Sequence, residues 1–124
     1  MYSINNINIG IINRNRDFDG GRGTINNPYR IVKIRHFNNV RKYSNAYYRL
    51  ENDIIFTDEF EVDGEYYNDG LLWRPASSFD NGGLDGQGYK VENLKTVSNG
   101  NNQSAIVNSL GSNSYIKNIY FKNL

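Results

Sequence analysis

Three carboxylates around a glycine-dense corner have the types and spacing that could do chemistry. They are Asp80, Asp85 and Glu92, within FDNGGLDGQGYKVENLKTV, residues 79–97. Two carboxyl groups about 5 to 9 Å apart can cleave a glycosidic bond, one as general acid and the other as nucleophile or base. Asp85 is the tempting acid of the three. An Asp set between glycines in a tight turn also bonds the amides of that turn, and this simpler role is preferred. Gly83, Asp85, Gly86 and Gly88 are therefore read as a structural corner, with the glycines permitting positive φ. No residue is assigned to catalysis.

A second cluster lies in TDEFEVDGEYYNDG, residues 57–70. Asp58, Glu59, Glu61, Asp63 and Asp69 offer hard oxygens of the kind calcium takes, but their spacing is not that of the twelve-residue EF-hand loop. A solvated loop or hairpin is the preferred reading. The single His36 and the absence of cysteine exclude a multi-histidine or thiolate zinc site within the chain. No metal ligand and no cofactor is expected. A third group is aromatic: Tyr47, Tyr66, Tyr67 and Trp73 could form a platform on which a sugar ring stacks. The competing role is core filling by residues of high strand propensity.

These residues need a frame, and the chain punctuates itself clearly. In residues 1–16, Ile4, Ile7, Ile9, Ile11 and Ile12 interleave with asparagine and arginine, so 1–20 is read as an extended arm ending in a glycine-rich loop. YRIVKIR, 29–35, alternates like a strand. HFNNVRKY, 36–43, places Phe37 and Val40 at helical spacing and reads as a two-turn helix. AYYRLENDIIF, 46–56, returns to strand character with Tyr48, Leu50 and Ile54 on one side. YKVENLKTV, SAIVNSL and YIKNIYFKNL follow as further strands, separated by Asn/Gly turns.

A weak repeat runs through the last third. Val91-Glu92-Asn93-Leu94 and Ile116-Lys117-Asn118-Ile119 share the order apolar, charged, asparagine, apolar at an offset of 25. Short strands returning at such intervals suit a stacked solenoid, in which each coil buries its apolar face only against the next. Asn93 and Asn118 would then stack in an amide ladder.

Composition bounds the partners. Formal charge is +1 over 124 residues, without the basic stripe of a nucleic-acid binder. No stretch approaches the roughly 20 apolar residues of a membrane span. MYSINNINIG lacks the basic leader and apolar core of a signal peptide. Basic residues from Arg14 to Lys42 crowd the first third and acidic ones the middle, an asymmetry suited to docking on an acidic protein surface.

Taken together, GRGTINNPYRI, NAYYRLENDIIF, WRPASSFDNGGLDGQGYKVENLKTV and YIKNIYFKNL resemble the GLUG-type repeat region of bacterial surface proteins and some phage virion proteins. The resemblance covers residues 21–124, and its best part is the D-G-x-G-Y-x-I-x-N-L core, with Val91 in place of the isoleucine. Two departures stand out: Arg74-Pro75-Ala76-Ser77 replaces a glycine-bearing turn, and SAIVNSLG, 104–111, replaces a "GLFG"-like segment. The resemblance implies a mainly β chain folded as a right-handed parallel β-helix, with the 36–43 helix capping its first coil. It makes 21–124 the module, read as the start of a longer stack.

The expected function is a non-enzymatic structural or attachment module of a phage virion fibre, spike or decoration protein, located in the virion. Its partners would be other proteins of the assembly, engaged through residues 1–20, in a homo-oligomer. One alternative is a bacterial cell-surface adhesin fragment that binds glycan. Another is a truncated polysaccharide-degrading β-helix enzyme.

Overall fold

The computed structural model describes residues 17–96 and 106–123. Its strands are short because the chain turns a corner every few residues. Strands β1 (Tyr29–Ile31), β2 (Tyr47–Leu50), β5 (Gly83–Asp85) and β8 (Tyr115–Lys117) form one parallel sheet in that order. Strands β3 (Ile54–Ile55), β6 (Lys90–Glu92) and β9 (Tyr120–Lys122) form a second, and β4 (Ala76–Phe79) pairs with β7 (Val107–Leu110) in a third. From β2 onward the chain visits the three sheets in rotation, which makes a short parallel β-solenoid. Parallel pairing always needs a long return path; here the other two faces of the coil supply it.

The coils stack in register, and like sits on like. Tyr29, Tyr48, Leu84 and Ile116 form one inward column, and Ile54, Val91 and Phe121 another. Ala76 lies beside Val107 and Phe79 beside Leu110. Alternation within β2 turns Tyr48 and Leu50 inward and leaves Tyr47 and Arg49 half-buried on the outer face. Burying a side chain such as Leu84 stabilises by about 1.5–3 kcal/mol, and an inward residue of a middle coil gains this because a coil lies on either side.

Helix α1 (Ile34–Asn39) and a 3-10 turn (Val40–Lys42) close the N-terminal end. Phe37 and Val40 are buried, as their spacing implies. The strand expected over 29–35 stops at Ile31, and the helix begins at Ile34 rather than 36. The reason is local: the Val32 N–H donates to Nδ1 of His36, four residues on, and so turns the chain out of the sheet. Burial first, and the charge of Lys33 second, hold the His36 pKa below its ordinary value. Of the arm expected over 1–20, residues 1–16 lie outside the described residues. Phe18 stacks on Tyr29 at 4.4 Å, and Asp17 bonds Lys42, Tyr43 and Asn39. Residues 17 and 18 are thereby part of the cap.

Several expectations are corrected. AYYRLENDIIF and YIKNIYFKNL each form two strands, the second pair divided at Asn118, which has φ 57°. The offset of 25 is not the coil period. Val91 pairs with Phe121 in the second sheet, whereas Ile116 pairs with Leu84 in the first. The true counterpart of Val91-Glu92-Asn93 is Phe121-Lys122-Asn123, and both asparagines take a left-handed backbone, φ 65° and 57°. Asn93 and Asn118 therefore do not stack on one another. The Asn93 amide donates instead to the Phe56 carbonyl of the coil beneath, at 3.1 Å.

The glycine corner is also built differently from expectation. Only Gly88 has a positive φ, +83°. Gly82, Gly83 and Gly86 serve close approach between coils: a Cβ at Gly82 would strike the Ala46 carbonyl, and one at Gly86 the Asn118 carbonyl. At Gly83 it would lie 2.6 Å from the Tyr115 ring.

Candidate functional site

Residues 56–75 leave the second sheet after β3 and rejoin the third at β4. This acidic insert does not project freely, because its few apolar residues anchor it. The Phe56 and Phe60 rings lie 5.0 Å apart, and Phe60 is 6% exposed. Tyr66 meets Trp73 edge-on at 5.2 Å, and Trp73 stacks on Phe37 of α1 at 5.4 Å. The Trp73 backbone N–H donates to the Lys95 carbonyl of the next coil at 2.9 Å, while its indole Nε1 is buried without a hydrogen-bond partner among the described residues. Among the described residues, no three His, Cys, Asp or Glu side chains are grouped to hold a metal ion.

The insert folds back on the cap and leaves a cleft of about 260 Å³. The cap contributes Asn38 and Arg41; the insert contributes Glu65, Tyr66, Asn68, Leu72, Trp73 and Arg74. Arg41 is fixed in place. Its Nε donates to the Asn38 carbonyl at 3.0 Å and to Asn38 Oδ1 at 2.8 Å, and its Nη2 donates to the Arg74 carbonyl at 2.7 Å. Its guanidinium lies 5.3 Å over the Trp73 ring. Burial, with Glu65 second, pushes the Tyr66 phenol up to about 12, so at neutral pH it is a protonated hydroxyl. The Arg74 guanidinium makes no hydrogen bond or ion pair among the described residues. The cleft thus offers cationic and amide donors, one carboxylate acceptor and the ring of Tyr66, with Trp73 buried beneath Arg41.

Its wall is strained. Asn68 and Asp69 take φ 54° and 51°, which such residues tolerate. Leu72 takes φ 63°, an uncommon conformation for a bulky residue.

The four aromatics expected as one platform are divided. Tyr66 and Trp73 meet, but Trp73 is 3% exposed and covered by Arg41, so their contact is internal. The Tyr67 carbonyl accepts the N–H groups of Gly70 and Leu72 within the insert. Tyr47 lies on the outer face of the first sheet, its ring 6.1 Å from that of Tyr115. Burial, then Tyr47 and Asp85, raise the Tyr115 pKa.

Of the three carboxylates only Asp85 bonds across coils; Asp80 and Glu92 meet residues two positions away. Asp85 Oδ1 accepts from the Gln87 N–H at 2.9 Å and from the Asn118 amide at 3.2 Å. Asp80 accepts from the Ser78 hydroxyl at 2.9 Å, and Glu92 pairs with Lys90 at 3.2 Å. The three follow or end different strands. Sequence reasoning missed Asn38, Arg41, Asn68 and Arg74 as a set. One signal was available: Arg74 is where the chain departs from the GLUG-type turn.

No family model matches the chain, and no solved structure matches it either. The GLUG-type resemblance therefore stands on its residues alone. Two curated proteins are similar in sequence. One is halomucin of Haloquadratum walsbyi, 32% identical over 106 residues, which is 83% of this chain and 1% of that protein. The other is a Gly-rich membrane protein of Evansella cellulosilytica, 29% identical over 108 residues, 82% of this chain and 12% of that protein. The chain is thus similar, over most of its length, to a small part of each of two much longer proteins.

Proposed function

We propose that the chain is a non-catalytic structural segment, a parallel β-solenoid spacer within a long protein displayed at the cell surface. The observation that carries this reading is the unbroken register of the first sheet, Tyr29–Tyr48–Leu84–Ile116. Such stacking yields a stiff rod whose stability is a sum over neighbouring coils. The similarity to short portions of very long proteins supports a modular role. The description of one relative as a membrane protein supports surface display, and nothing comparable supports the virion placement expected from the sequence. Asp85 bonds its own turn and the Asn118 amide of the next coil, which supports a structural role for it.

Incubating the chain with a panel of polysaccharides is expected to release no new reducing ends. Cleavage that disappears in Asp85→Asn would overturn the reading in favour of an enzyme.

A further inference from the structure

We propose that the cleft between the acidic insert and the cap helix binds one saccharide unit of a glycan. This goes beyond the scaffold role and does not depend on it.

Insertions in a solenoid map to loops on one side, and such loops are often its binding surface. Here the insert 56–75 folds against the cap and builds a wall that includes Leu72 in a left-handed conformation. Strain of this kind persists only where surrounding structure imposes it, and it clusters at ligand sites.

The chemistry of the lining selects the ligand. Arg41, Arg74, Asn38 and Asn68 donate, Glu65 accepts, and Tyr66 supplies an aromatic ring with a protonated hydroxyl. A sugar hydroxyl donates and accepts at once, and the C–H face of the ring packs on aromatic carbon. A simple anion would meet the two guanidinium groups but leave the Glu65 carboxylate and the Tyr66 ring unused. An apolar ligand would leave the Arg74 guanidinium and the Asn68 amide unused at the rim. The volume, about 260 Å³, falls just under the range of drug-sized pockets, which suits a single ring.

Preorganisation supports the same conclusion. Arg41 is held by three acceptors and the Trp73 face before any ligand arrives, so little side-chain entropy remains to be lost. Arg74 and Asn68 are exposed at the rim, and the Arg74 guanidinium is unpartnered among the described residues.

Trp73 is the only tryptophan, so its emission and its indole N–H resonance report on this cleft alone. The full chain is titrated with neutral oligosaccharides (cello-, xylo-, manno- and chito-series), with oligogalacturonates, and with an acidic peptide. A saturable change in the Trp73 signals with at least one saccharide is expected. Arg74→Ala and Asn68→Gly should each weaken that binding about tenfold, the value of one charge-assisted or well-made hydrogen bond. Asn68→Gly removes the amide while suiting the left-handed backbone, so folding is preserved and is verified by circular dichroism. Lys117→Ala, on the outer face of the first sheet, should leave binding unchanged. The proposal is overturned if no saccharide gives a saturable change, or if the peptide binds and the sugars do not. It is equally overturned if Lys117→Ala weakens binding while the two cleft variants do not.

Discussion

The first and last described coils of the solenoid are filled differently. At the capped end the core is aromatic: Phe18, Tyr29, Phe37, Tyr48 and Trp73 are all buried, most of them in ring contact with one another. In the last described coil the inward residues are Ile116, Ile119 and Phe121, each only partly buried, and Tyr120 is 66% exposed. The first coil is covered by residues 17–20, which bond the outer edge of β1 at Arg30, and by the helix and 3-10 turn that pack on β1, β3 and β4, whereas the last is covered, among the described residues, from one side. A solenoid residue is stabilised by its neighbours above and below, so the same apolar side chain is worth more beneath a cap than at the far end.

That contrast can be broken most directly by truncation. Phe37→Ala empties the contact between cap and insert and should cost about 3–5 kcal/mol in urea unfolding. Ile116→Ala, with the same inward register but partial burial, should cost about 1 kcal/mol. Equal losses would remove the distinction between the ends. Glycines sharpen it next. Gly82→Ala pushes a Cβ into the Ala46 carbonyl and should cost about 1–3 kcal/mol through overpacking. Gly88→Ala meets open space and pays only for its left-handed backbone, about 1 kcal/mol.

Smaller effects follow at the corners. Asn93→Ala loses the bond to the Phe56 carbonyl and strains a residue at φ 65°, for about 1–2 kcal/mol. Asn93→Gly loses the bond without the strain, so calorimetry should place its melting point between those of Asn93→Ala and the parent chain. The smallest effect is at His36. Its folded pKa lies below the unfolded value, so the unfolded chain binds the proton more readily. The contribution of neutral His36 is complete above 6.5 and is lost as pH falls through the lowered folded value. Urea midpoints measured on acidification should show this slope, and His36→Gln should flatten it.

Much of the architecture was legible because its causes are local. Phe37 and Val40 announced a helix by spacing, and Tyr48, Leu50 and Ile54 announced a common buried side. Asn/Gly clusters marked the breaks. The stacking itself was inferred from Val91-Glu92-Asn93-Leu94, correctly as a principle but with the wrong partner. Motifs of equal form stand at the ends of both β6 and β8, and only hydrogen-bonded register distinguishes Phe121 from Ile116 as the neighbour of Val91. The candidate cleft was less legible. Tyr66 and Trp73 were singled out as aromatic, yet their meeting with Arg41 depends on the insert folding across the cap.

From its residues alone this chain specified short alternating strands, tight asparagine and glycine corners, one short helix, and hence a stack of coils that cover one another. Those features follow from side-chain period and backbone preference, which act between near neighbours in sequence. Which coil sits beside which, why three glycines must lack a Cβ, and how the acidic insert closes over Arg41 depended on the folded molecule. These are contacts between distant segments, and their energies exist only once neighbouring coils come within reach of each other.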